Sequence, residues 1–89
     1  MSRKPPRRAS GPILPRHRRW SQFVDRLVGA EGCDVQPAHW TCFGDLRFTK
    51  KILEDMGLDE ASIQVSITYF KDHGGYCDCE MLLNVAHAL

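Results

Sequence analysis

The chain has 89 residues, with 12 Lys and Arg against 11 Asp and Glu, and it contains four cysteines. This length allows one small domain, and because no run of about 18 apolar residues occurs, no transmembrane helix is predicted. The charged N-terminus lacks the apolar stretch of a secretory signal. We therefore expect a reducing, cytoplasmic compartment, in which cysteines are thiols or metal ligands instead of disulfides.

The charges are divided unevenly along the chain. Residues 1–19 hold seven Lys and Arg and no acid, whereas residues 20–89 hold five against eleven acids, a formal charge of −6. Residues 1–16 also contain four of the five prolines, so we predict a disordered basic tail there and a domain over residues 17–89. The tail predicts weak, nonspecific binding of nucleic acid through its cations. These cations are Arg3, Lys4, Arg7, Arg8 and Arg16.

Three helices are predicted from apolar spacing and end signals. Trp20, Phe23, Val24 and Leu27 have offsets of 0, 3, 4 and 7, which predict a helix over residues 17–28 that ends at Gly29. A second helix, over residues 46–56, has Asp45 as its N-cap and stops at Gly57. A third is predicted from Glu60 to His73, with Asp59 as its cap and the Gly74–Gly75 pair at its end, although Ile63, Val65, Ile67 and Tyr69 alternate as in a strand.

Two β elements are predicted between and after these helices. Residues 33–42, CDVQPAHWTC, have Pro37 in a polar centre, which indicates a β-hairpin that brings Cys33 and Cys42 together. In residues 77–85, cysteines and apolar residues alternate with Asp78, Glu80 and Asn84, which predicts a C-terminal strand with its acids facing solvent. A helix over residues 79–88 is the alternative. The predicted fold is therefore α+β: helix, β-hairpin, two helices and a C-terminal strand.

The cysteines suggest a metal site. A domain of about 70 residues is marginally stable on its hydrophobic core alone, and structural zinc takes four tetrahedral nitrogen or sulfur ligands. Cys33, Cys42, Cys77 and Cys79 would supply four sulfurs, and His73 or His39 could replace one of them. The rival interpretations are buried free thiols, thiol-redox chemistry by Cys77 and Cys79, and, third, a catalytic zinc site.

The chain also resembles a known bacterial family, domain of unknown function 2695. Its members read roughly W-x-x-F…L…GC, then W-x-C, then ILEKMG-x-D, then YF-x-x-HGGYCDCEILFNV. The matching residues here are Trp20, Phe23, Leu27, Gly32, Cys33, Trp40, Cys42, the run ILEDMGLD at 52–59 and the run YFKDHGGYCDCEMLLNV at 69–85. The chain departs from the pattern in Met81 and Leu83, where isoleucine and phenylalanine are usual, and in a shorter loop over residues 33–42. The resemblance implies an architecture and a cysteine site but no reaction.

These observations together predict a noncatalytic, zinc-stabilised binding module. A protein partner is expected for such a module, with weak nonspecific nucleic-acid binding through the tail and no membrane association. No serine or cysteine has a base at the spacing of a nucleophilic enzyme. The partner's identity does not follow from the residues.

Overall fold

The protein is described by a computed structural model that covers residues 11–88. Four helices follow one another: α1 (Trp20–Val28), α2 (Arg47–Asp55), α3 (Glu60–Asp72) and α4 (Asp78–Glu80), the last continuing into a π-helix (Met81–Val85). Residues 11–88 contain no β-strand. The predicted α+β fold is therefore wrong, and the described part of the chain is all-helical.

The core is shared by all the helices, and aromatic rings of α1 and α3 meet within it. Phe23 and Leu27, one turn apart on α1, are fully buried, as the apolar spacing predicted. The Phe23 ring lies nearly parallel to that of Phe70 on α3, with ring centroids 6.0 Å apart, and Trp20 contacts both rings. The helix begins at Trp20 and not at residue 17, because His17 starts a separate turn in which its carbonyl accepts from the Trp20 N–H at 2.9 Å.

The segment before α1 lies against α3. Ile13, which the sequence assigned to the tail, is 1% exposed and belongs to the core. The Gly11 N–H donates to Ser62 Oγ at 3.0 Å, and the Ile13 N–H donates to Ser66 Oγ at 3.1 Å. Two serines of α3 thus hold this segment in place by satisfying its backbone donors.

The predicted β-hairpin at residues 33–42 is wrong. The N–H groups of Cys33 and Val35 donate to the last carbonyls of α1, Leu27 O at 2.7 Å and Val28 O at 2.9 Å, and are therefore not available to a strand ladder. Asp34 between them has φ of +50°, a left-handed conformation that no strand continues through. The segment instead wraps the end of α1 and returns to Cys33, whose carbonyl accepts from the Thr41 N–H at 2.7 Å.

Helix α2 occurs where it was predicted, but its cap differs. The N-cap position is Leu46, which offers no side-chain acceptor. Asp45 accepts from the Arg47 N–H at 3.1 Å. The next two backbone donors, those of Phe48 and Thr49, are satisfied by Asp78, which lies 30 and 29 residues further along the chain. Asp45 as the N-cap is therefore a wrong prediction, since a distant carboxylate does most of the capping.

Helix α3 confirms both of its predicted ends. The Asp59 side chain accepts from the Ser62 N–H at 2.8 Å, as an N-cap does. At the other end, the Gly74 N–H donates to Lys71 O and the Gly75 N–H to Phe70 O, the pair of bonds that defines a Schellman motif. Gly74 has a backbone φ of +92°, a value that residues with a side chain rarely adopt.

The predicted C-terminal strand is wrong, because residues 78–85 are helical. The buried residues there are Asp78, Met81, Leu82 and Val85, at offsets of 0, 3, 4 and 7, which is the period of a helix. Because the first of these buried residues is an aspartate, the pattern of polar and apolar residues did not reveal the helical period. Without a hairpin beside it, a lone strand would also have left its backbone groups unpaired.

Candidate metal centre

Three cysteine sulfurs meet where two separate segments of the chain approach each other. The Sγ atoms of Cys42, Cys77 and Cys79 all lie within 4.8 Å of one another. Cys42 precedes α2, while the other two flank the start of α4. All three residues are partly exposed. Since these residues are 35 or more positions apart across the two segments, the fold itself brings the cluster together.

Cys77 and Cys79 share a site although the strand that was meant to align them is absent. Cys77 has extended dihedrals, φ −146° and ψ 171°, and is the N-cap of α4, so the helix begins between the two cysteines. Their Sγ atoms are 3.3 Å apart. Residues two apart diverge by about 200° only when both lie within a helix. One extended residue at the helix start is therefore enough to bring the two sulfurs together.

Cys42 is held beside this pair by backbone geometry. The Asp78 N–H donates to Asp45 O at 2.9 Å, which joins the segment after Cys42 to the start of α4. Gly44 has φ of +82°, and its backbone N–H faces the Cys42 sulfur, as does that of Cys79. A left-handed residue costs roughly 1–2 kcal/mol unless it is glycine. Glycine at position 44 therefore allows the turn that directs an amide toward this sulfur.

The electrostatics differ among the three thiols. Burial acts to raise the pKa of Cys42, but hydrogen bonds from the Gly44 and Cys79 amides and from the neighbouring thiols outweigh it, so the net pKa is lowered. Burial raises the pKa of Cys77, and burial together with bonds to the other two cysteines raises the pKa of Cys79 to about 12. In the metal-free cluster, Cys42 therefore carries negative charge most readily.

Asp78 lies between the two cysteines but faces the opposite way. It is fully buried, where the sequence had predicted a solvent-facing acid. Its carboxylate accepts from the N–H of Phe48 at 3.1 Å, and from the N–H and Oγ1 of Thr49 at 2.9 and 2.7 Å. Burial raises the pKa of this carboxyl, and the three donors act to lower it. The CDC triplet thus presents two sulfurs to the cluster and one carboxylate to the N-terminus of α2.

Cys33, the fourth predicted ligand, lies outside the three-sulfur group. It is fully buried among the apolar core residues, and burial raises the pKa of its thiol to about 12. The segment before it is closely packed, since a Cβ at Gly32 would be 2.3 Å from Leu27 O. Cys33 therefore occupies the position of a small core hydrophobe.

The two histidines considered as substitutes are also outside the group. His73, the C-cap of α3, has its Nδ1 2.8 Å from Tyr69 O and its ring stacked on the Tyr69 ring, with centroids 4.0 Å apart. Because a carbonyl only accepts, this Nδ1 carries the proton. His39 is exposed, on a turn where its carbonyl accepts from the Gln36 N–H at 2.8 Å.

Two structural residues of this site were missed by the sequence reasoning. Asp78 was assigned to solvent, and Gly44 was not considered. The helical offsets that begin at Asp78 could have revealed its burial, had the acid been counted as a core residue. A C-x-G triplet such as Cys42 to Gly44 carries little signal, because glycine is common in loops.

The cations of the chain and the length of its helices bear on the remaining predictions. Arg3, Lys4, Arg7 and Arg8 lie outside the described residues, and Arg16 is exposed. Arg47 forms an ion pair with Asp45 and lies over the Phe43 ring, 4.2 Å from its centroid. Within residues 11–88, no helix has the length and apolar character to cross a membrane.

The fold and the site define a small helical protein with a three-cysteine cluster at metal-binding distance. The chain belongs to the family described as Protein of unknown function (DUF2695), whose model matches residues 21–84. The family resemblance noted in the sequence is thereby confirmed. No curated protein and no solved structure matches the chain.

Proposed function

We propose that this protein is a noncatalytic binding module whose helical fold is stabilised by a zinc ion bound to Cys42, Cys77 and Cys79. One observation carries the proposal: the three sulfurs, from two distant segments, lie within 4.8 Å of one another. Thiolates favour zinc among the common metals of cells. Amides directed at the sulfurs supply the outer hydrogen bonds that orient metal ligands.

The surroundings of the cluster support a noncatalytic role. The two carboxylates nearest to it in sequence are engaged elsewhere: Asp78 caps α2, and Glu80 Oε1 accepts from the Tyr76 N–H at 3.1 Å. A zinc hydrolase needs a base close to the metal-bound water. With both carboxylates occupied, structural stabilisation accounts for the site better than catalysis.

The test is metal content and its effect on folding. Protein purified without chelator should carry about one zinc per chain by native mass spectrometry. The variants Cys42→Ser, Cys77→Ser and Cys79→Ser should each lose this zinc. Glu80→Gln is the matched control, since it changes an adjacent charge but removes no sulfur, and it should keep its zinc. Because binding to a structural site contributes directly to folding, chelation should reduce the helical circular dichroism signal. A folded, reduced, metal-free protein that takes up no zinc would rule the proposal out.

Thiol-redox chemistry is the second candidate, favoured by the 3.3 Å distance between Cys77 Sγ and Cys79 Sγ. Oxidation would join these sulfurs, release two protons and pass two electrons to a disulfide-containing partner, which would be reduced to two thiols. A bridge between residues two apart closes a small, strained ring. The candidates differ in thiol reactivity. Under the zinc proposal, one equivalent of zinc should protect the three cysteines from iodoacetamide, whereas a redox protein should form the Cys77–Cys79 disulfide reversibly.

A further inference from the structure

The cluster offers three ligands where zinc takes four. Structural zinc sites are closed by four protein ligands, and sites that keep three leave one position for a molecule from outside. Among residues 11–88, the group that could hold a metal contains only Cys42, Cys77 and Cys79. All three cysteines are partly exposed, so solvent reaches the cluster.

The other cysteine and the histidines of residues 11–88 are not part of the three-sulfur group. Cys33 is 0% exposed, its N–H donates to Leu27 O at 2.7 Å, and its carbonyl accepts from the Thr41 N–H at 2.7 Å. Because that bond joins it to the residue before Cys42, Cys33 lies near the cluster, but its buried sulfur is not one of the three that lie within 4.8 Å of one another. Drawing this sulfur out of the core would leave a cavity there. The His73 ring is hydrogen-bonded and stacked on Tyr69 at the end of α3.

Charge decides which type of outside ligand suits the site. Zinc with three thiolates carries a net charge of −1, and residues 20–89 carry a formal −6. A fourth thiolate or a carboxylate would add another negative charge, whereas an imidazole nitrogen would add none. Imidazole is also a preferred zinc ligand.

Two exposed aromatic residues adjoin the cysteines in sequence. Phe43 follows Cys42 directly and is 56% exposed, and Tyr76 precedes Cys77 directly and is 61% exposed. Because the Arg47 guanidinium already lies over the Phe43 ring, the exposed ring of Tyr76 is the one on which a planar ligand would stack.

We propose that the fourth zinc position is open in the isolated chain and binds a neutral imidazole nitrogen, supplied by a histidine of a partner protein. This inference rests on the proposed zinc site. Partner binding would then close the tetrahedron, and the metal would become part of the interface.

Cobalt(II) substitution tests the inference directly, because its visible absorption reports the ligand set. In the full chain loaded with one cobalt, free imidazole should produce a saturable shift of the d–d bands, with one imidazole per metal. A peptide with a single histidine should produce the same shift, and the same peptide with alanine should not. Cys33→Ala and His39→Ala should leave the initial spectrum and the shift unchanged.

The alternative outcomes are distinct. If imidazole leaves the wild-type spectrum unchanged and Cys33→Ala lowers the thiolate-to-cobalt charge-transfer intensity, the site is closed by Cys33 and the inference is wrong, although the metal site stands. If His39→Ala alters the initial spectrum, the fourth ligand is internal and the inference is equally wrong. If neither cobalt nor zinc binds, the proposed function itself fails. The wild-type titration gives its answer even where a Cys33 variant does not fold.

Discussion

Replacing Asp78 with alanine should destabilise the protein substantially, because one carboxylate satisfies three donors of α2. Thr49 is fully buried, so its N–H and hydroxyl would lose their acceptor where water cannot easily replace it. Each buried unsatisfied group costs about 1–3 kcal/mol. The Phe48 N–H is only partly buried and would be hydrated. Removing the buried charge recovers some desolvation energy, so we expect a net loss of roughly 3 kcal/mol.

A double-mutant cycle with Thr49 identifies the source of that loss. Thr49→Val removes one of the three donors and should cost about 1 kcal/mol. In the Asp78→Ala background, the same change removes an unsatisfied hydroxyl, so the double variant should be about 1 kcal/mol more stable than the two single effects predict. Asp25→Ala, at an exposed carboxylate on α1, is the control and should change stability by less than about 0.5 kcal/mol.

The assay is urea unfolding followed by circular dichroism at a fixed zinc concentration, since metal binding shifts apparent stability. Amide exchange should show lost protection at Phe48 and Thr49, the two donors that Asp78 satisfies. An Asp78→Ala loss below about 1 kcal/mol would contradict the capping role. So would full additivity with Thr49→Val, because two groups that share a hydrogen bond must be coupled.

Four further predictions follow from other parts of the chain. Ile13→Ala should lower the free energy of unfolding in urea by about 3 kcal/mol, because the Ile13 side chain is buried in the core. If this segment were a free tail, the substitution would have no effect. Gly44→Ala should cost about 1 kcal/mol through its positive φ alone, since no atom lies within 4 Å of an added Cβ, and calorimetry should show weaker zinc binding. Apparent zinc affinity, measured against a competing chelator, should fall at least about a hundredfold from pH 8 to pH 7, because the raised pKa values of Cys77 and Cys79 require two protons to leave. Deleting residues 1–10 removes four of the five tail cations and leaves Arg16, so it should sharply reduce any low-salt retention on nucleic acid and leave zinc content unchanged. Retention of the truncated protein at about 0.15 M salt would refute this placement.

Helices α1 and α3 were predictable because their determinants are local. The apolar spacing from Trp20 to Leu27, the Asp59 cap and the Gly74–Gly75 end all act within a few residues of the helix they define. The bounds differ by up to three residues at α1, where the His17 turn precedes the helix. Such end turns are not distinguished from helix by periodicity.

The two β predictions failed because their decisive interactions are tertiary. The N–H groups of Cys33 and Val35 complete the end of α1, a role invisible in a list of strand formers. Asp78 looked like a solvent-facing acid because its partners, at the start of α2, lie about 30 residues earlier. Sequence patterns assign acids to the surface since most are there, and a buried acid that caps another helix is the case that defeats them.

The alternating side-chain directions that led to the strand prediction do occur over the CDC triplet, residues 77–79. An extended residue at Cys77 places neighbouring side chains on opposite sides, so the sulfurs of Cys77 and Cys79 point one way and the Asp78 carboxylate points the other. A metal that fixed the two sulfurs would therefore also fix the carboxylate that caps α2. Conversely, the capped helix holds the segment after Cys42 in place through Asp45, whose carbonyl accepts from the Asp78 N–H. A bound metal and the helix cap would thus stabilise the same arrangement, and each should weaken when the other is removed.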